Sequence, residues 1–219
     1  MLLSLAIPLA LLAVQQPPSA PSQIAERLAG RVSADIAAVA AELGTTAAAR
    51  GLPVEPIIQK AIEGSAKGVA GDRVATAMRL VLRQLDEAAS ALGSSDTVAI
   101  GAGAFAMTAG LSGSDIRQLA RTGAAPGELV VALRVAGTLS ALGVPPAEAV
   151  RLVSVTLESG RPAGDLLGLP GRVQAEMSRG VTPAQAAAGL ARAAAAQSRR
   201  GPPPGRGQPP PHPAPPPRP

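Results

Sequence analysis

Residues 143–150 read GVPPAEAV, and residues 180–187 read GVTPAQAA. Each position in this shared pattern has a mechanical role. A glycine just past a helix end adopts the left-handed conformation that closes the helix, and the apolar residue after it packs back on the last turn. In the second copy Thr182 then caps the next helix, Pro183 takes its first position, and Gln185 reaches back to the cap. Pro146 with Glu148 keeps part of that logic in the first copy. The pattern is a joint between consecutive helices: stop, tuck, restart.

The same punctuation recurs upstream. Gly51 opens GLPVEPI, Gly68 opens GVAGDRV, and Gly110 opens GLSGSDI, where Ser112 and Asp115 complete a capping pair. After Gly68 the cap position is Ala70, so that copy is degenerate. Gly51 to Gly68, Gly93 to Gly110 and Gly143 to Gly160 are each 17 residues apart. Gly123 to Gly143 and Gly160 to Gly180 are each 20. Each interval holds one short helix and its connector.

Between the joints the apolar residues recur at helical spacing. Ile24, Leu28, Val32, Ile36, Val39 and Leu43 form one stripe, and Val74, Met78, Val81, Leu85 and Leu92 form another. No stretch sustains a strand's alternation with period two. The pattern predicts helices near 22–43, 54–66, 71–92, 95–109, 113–122, 126–142, 146–159, 171–179 and 183–198. The expected fold class is all-α: an array of short antiparallel helices joined by Gly-containing turns, solenoid-like or an irregular orthogonal bundle, with disordered termini.

The stretch TVAIGAGAFAMTAGLSGS, Thr97 to Ser114, is uncharged until Asp115. It reads as a central helix buried on most sides, with Gly101 and Gly103 allowing close approach and Phe105 as the largest plug in the core.

Composition narrows the class further. The 219 residues include no Cys, Trp or Tyr, one Phe (Phe105) and one His (His212). The core must be built from aliphatic side chains, Met and much Ala, which suits close helix packing better than strands. Arg outnumbers Lys 18 to 2, and the net charge is +5. Four of those arginines, Arg199, Arg200, Arg206 and Arg218, lie in the last 21 residues; without them 16 basic residues face 15 acidic ones. The high pI therefore reports a basic tail on a nearly neutral body, with no basic stripe or aromatic interleaving for nucleic acid.

Both ends read as something other than fold. The apolar run Leu2–Val14 has the length of a signal-peptide core and is too short to span a bilayer comfortably. Gln15 to Ala20 supply a small and polar cleavage region, although no Lys or Arg precedes the run. From Gly201 onward, 11 of 19 residues are Pro, a composition that favours extended polyproline II and buries no core. The expected organisation is a signal peptide or N-terminal anchor over 1–20, a helical repeat-like body over 21–198, and a disordered Pro/Arg-rich tail over 199–219.

The catalytic inventory is thin. The single His lies in the tail and no Cys nucleophile exists, so triads and Cys/His zinc sites are excluded from the body. No nucleophile elbow, Walker loop or dinucleotide fingerprint is present. Among the acids, Asp86 and Glu87 are adjacent and point about 100° apart on a helix, so they do not share a site. Glu63 and Lys67 read as a surface pair, and Glu55, Asp72 and Arg73 as partners of helix dipoles. The expectation is an exported, non-enzymatic helical scaffold or binding protein of the bacterial cell envelope, periplasmic or extracellular. It has no catalytic residue, cofactor or metal, and its partner is an unknown protein or envelope polymer rather than nucleic acid. The alternatives are an inner-membrane-anchored envelope spacer or adaptor, held through an uncleaved N-terminal segment, and a carboxylate-based hydrolase.

Overall fold

The computed structural model describes residues 20–159 and 163–199. The expected signal peptide or anchor lies outside the described residues except for Ala20, and so does the tail beyond Arg199. Eleven α-helices and no strands occupy the described residues: α1 (Ala20–Leu28), α2 (Ala34–Ala49), α3 (Glu55–Ala66), α4 (Gly71–Leu92), α5 (Thr97–Thr108), α6 (Gly113–Ala120), α7 (Pro126–Ala141), α8 (Pro146–Glu158), α9 (Ala163–Leu167), α10 (Leu169–Met177) and α11 (Pro183–Arg199). They divide into two compact units, one reaching Leu82 and the other made of Gly51–Pro53 with everything from Arg83.

The joints work as the sequence implies. Gly51, Gly68, Gly93, Gly110, Gly123, Gly143 and Gly180 all have positive φ, from 59° to 105°. At Gly143 the glycine N–H donates to the Ser140 carbonyl at 2.9 Å and the Val144 N–H to the Leu139 carbonyl at 3.1 Å. That crossed pair of bonds satisfies two carbonyls that the helix end leaves free. Gly180 repeats it, with Val181 donating to Glu176 at 3.2 Å, and so do Gly68 and Gly110. The tucked residues Leu111 and Val144 are buried, whereas Val69 is exposed. On the restart side, Ser112 with Asp115 forms a full capping box. Thr182 and Gln185 exchange the same two backbone bonds at 3.3 Å each. Pro145 holds the cap position of α8 without a side-chain bond.

In the first unit, the helix expected over 22–43 is two helices. Gly30, at φ +70°, ends α1, and α2 restarts after Ser33. The stripe misled because Ile24, Leu28, Ile36 and Leu43 are indeed all buried: α1 and α2 pack on one another and bury the same residues a continuous helix would. Gly44 makes the packing close, since a Cβ there would stand 2.6 Å from Ile24 Cδ1.

In the second unit, α5 packs chiefly on α7, and α8 chiefly on α11. Buried Leu133, Leu139, Leu152, Val153 and Ile116 form the larger part of the core, with Ala filling between them. A Cβ on Gly137 would lie 3.0 Å from Ala106 Cα, and one on Gly110 would lie 3.7 Å from Ser140 Oγ. Both chains ascend together across these contacts, so α5 and α7 run in the same direction. Gly143 lies against Pro183, and Thr156 lines a cleft with Ala193 and Ala194, so α8 and α11 also run alike. The two copies of the motif therefore head two parallel, touching helices. The helix expected over 171–179 begins earlier, as α10 at Leu169, and α9 precedes it; the apolar period there is too short to fix its ends.

Phe105 is not a core plug. It is 45% exposed. Gly103 does allow close approach, its Cβ position lying 3.0 Å from Ala88 Cβ, but Gly101 has only Pro53 near it, at 4.0 Å. No helix among the described residues is long and apolar enough to cross a membrane.

Candidate functional site

The acidic side chains serve as caps and ion-pair partners. Glu63 accepts from Lys60 at 2.7 Å and Lys67 at 2.6 Å, and these two ammonium groups hold its pKa down at about 2. Glu55 accepts from Gln59 at 2.6 Å and from Arg27; the Gln59 bond chiefly, then Arg27, lowers its pKa against an opposing burial effect. Asp96 caps α5 by accepting from the Val98 N–H at 2.9 Å, and Glu128 returns to the Ala125 N–H at 3.3 Å. Asp72 stands in the first turn of α4 beside Arg73. Asp86 is half-buried, and the neighbouring Glu87 is exposed and lies over Gly113. Among the described residues no three metal-ligating side chains gather.

Clefts open among the described residues. One, about 470 Å³, lies in the first unit between the α1–α2 and α3–α4 joints, with Arg31, Ser33 and Ser65 in its wall. Asp35 and Asp72 already occupy the first turns of the two helices that start beside it, so the helix dipoles there have their anions. A second, about 230 Å³, has Val69, Val74 and Ala77 as floor and Lys60, Lys67 and Arg73 around Glu63 as rim. A third, about 160 Å³, lies between α8, α10 and α11, and its Thr156 hydroxyl is committed to the Leu152 carbonyl at 2.8 Å.

The feature with the least internal explanation is an apolar seam. Val98, Gly101, Phe105 and Thr108 step by three and four along one face of α5. Val98 is 57% exposed, beside the 45% of Phe105. The Phe105 ring leans against α7 at Gly137, its Cε1 standing 3.0 Å from the Cβ position. Val130 and Arg134 share that face of α7 two turns and one turn earlier, half-buried and exposed respectively. It is a shallow apolar surface with an aromatic ring, an open glycine position at Gly101 and a guanidinium beside it.

The sequence reading missed this surface. The signal was present in the 98–101–105–108 spacing, but α5 is apolar on every side, so no polar face marks which stripe faces outward. No protein-family model, no curated protein and no solved structure matches the chain.

Proposed function

We propose that this chain is a non-enzymatic helical binding protein of the bacterial cell envelope, exported by its N-terminal segment, with the α5/α7 seam as its contact surface. The observation that carries the reading is the outward placement of Phe105 and Val98 in a protein otherwise short of large side chains. Large exposed apolar side chains grouped on one rigid face are the usual mark of a contact site. The two parallel pairs support a solenoid-like array in which helices of successive hairpins stack in register, the arrangement that gives repeat proteins extended binding faces.

A photo-crosslinking residue placed at Val98 in the native host tests the contact surface. It should capture a partner that the same residue at exposed Gln118 on α6 does not. Equal capture at both positions, or none at Val98, refutes the seam. Amino-terminal sequencing of the mature protein tests export separately: a chain still starting at Met1 in the membrane fraction supports the anchored adaptor instead.

A further inference from the structure

We propose that the α5/α7 seam is the docking surface of the chain's own proline-rich tail, residues 201–219, which competes there with external partners. The inference rests on the seam being a contact surface and names what fills it.

Size argues first. Phe105 and Val98 together offer roughly 200 Å² of apolar side chain. A stable dimer of standard size buries about 800 Å² per partner. The patch is too small for a second copy of a folded domain, whereas a short extended segment needs no more area than this. Chemistry argues next. Proline-rich segments dock on exposed aromatic rings because the extended backbone is already ordered and the pyrrolidine rings stack on the aromatic face. The chain has one aromatic ring, Phe105, and one proline-rich segment, with 11 Pro in its last 19 residues. The open space at Gly101 on one side of Phe105 leaves room for a proline beside the ring.

Reach agrees. The tail follows α11 in the second unit, and at about 3.1 Å per residue 19 extended residues would span roughly 60 Å. A compact body of about 120 residues is only some 35 Å across, so a segment of that length is long enough to reach the other faces of its own unit. One ring gives weak affinity by itself. Tethering raises the tail's local concentration to the order of millimolar, which lets a weak contact stay populated.

The single phenylalanine makes the test clean. Incorporation of 4-fluorophenylalanine places one fluorine in the protein, at Phe105, with one ¹⁹F resonance. The mature chain is compared with the same chain carrying Pro209→Ser, Pro210→Ser, Pro211→Ser, Pro215→Ser, Pro216→Ser and Pro217→Ser, which alters no residue of the helical body. The resonance should shift between the two, and a synthetic peptide of residues 201–219 added to the serine-tailed chain should move it back in a saturable way. Coincident resonances, unmoved by the peptide, overturn the proposal. A resonance that shifts on dilution in both chains equally shows that a second copy covers the ring, and overturns it too. If the tail fails in this way while Val98 still crosslinks a host partner, the seam stands as a contact surface and only its internal occupant is refuted.

Discussion

Replacing Gly143 by valine tests the joint on which the architecture depends. Gly143 has φ +89°, in the left-handed region. The nearest atom to an added Cβ is Pro183 Cγ at 3.7 Å, an ordinary contact, so sterics against the surroundings contribute almost nothing. The cost is backbone strain, about 1–2 kcal/mol for an L residue in this conformation and at the upper end for a β-branched one. If the joint relaxes to avoid it, the bonds from Gly143 to Ser140 and from Val144 to Leu139 are lost instead. With about 2 kcal/mol lost, Tm should fall by about 4–8 °C for a body of this size. Gly180, at φ +87° with nothing within 4 Å of its Cβ position, should respond equally. Thermal unfolding followed by circular dichroism at 222 nm reads both variants. Gly180→Asn should cost less than Gly180→Val, because asparagine tolerates the left-handed region. Unchanged melting in both valine variants, or asparagine as damaging as valine, refutes the joint.

Gly189→Ala in α11 should stabilise by about 0.5–1 kcal/mol, because the site is helical and nothing lies within 4 Å of the new methyl; a raised Tm checks it. Gly137→Ala should destabilise by about 1 kcal/mol despite the same gain in helix propensity, since its Cβ meets the backbone of Ala106 at 3.0 Å; a lowered Tm checks it. The Glu63 carboxyl, followed by ¹³C NMR, should titrate at about 2 in the parent and return towards 4.5 in a Lys60→Ala, Lys67→Ala double variant. Since folding lowers this pKa, the stabilisation from Glu63 is complete above the ordinary carboxylate range and is lost as pH falls through about 2. Phe105→Ala should cost about 1–2 kcal/mol, because about half of the ring is buried against α7, whereas Leu133→Ala, fully buried on α7, should cost about 2–5 kcal/mol by denaturant melts.

The fold was legible where local chemistry decides it. A glycine followed by an apolar residue, a cap and an acid or amide specifies a helix end and a helix start within eight residues, so the joints at Gly51, Gly68, Gly110, Gly143 and Gly180 could be placed from sequence. Gly30 was missed because it lacks that sequel: Arg31 follows it, and the stripe from Ile24 to Leu43 runs on across the break. Apolar periodicity reports which residues are buried and is silent on whether the chain turns between them. Which helices touch was not legible at all. The contacts between α5 and α7 and between α8 and α11, such as Gly137 on Ala106 and Gly143 on Pro183, join residues about 30 and 40 positions apart, beyond the reach of local patterning.

The misplacement of Phe105 follows from the feature that makes the core work. A core poor in large side chains closes by bringing helices together at glycine and alanine, and at Gly137 and Ala106 the two helices approach until no Cβ fits between them. A phenyl ring needs the space that such contact removes. The rule that the largest apolar residue fills the centre holds where side chains set the helix spacing; here the backbones set it, and the ring is pushed to the rim of the core it was expected to fill. About half of the ring is buried by its contact with α7 at Gly137, and the remaining 45% is an exposed face on a rigid pair of helices, the face that the proposed docking would use.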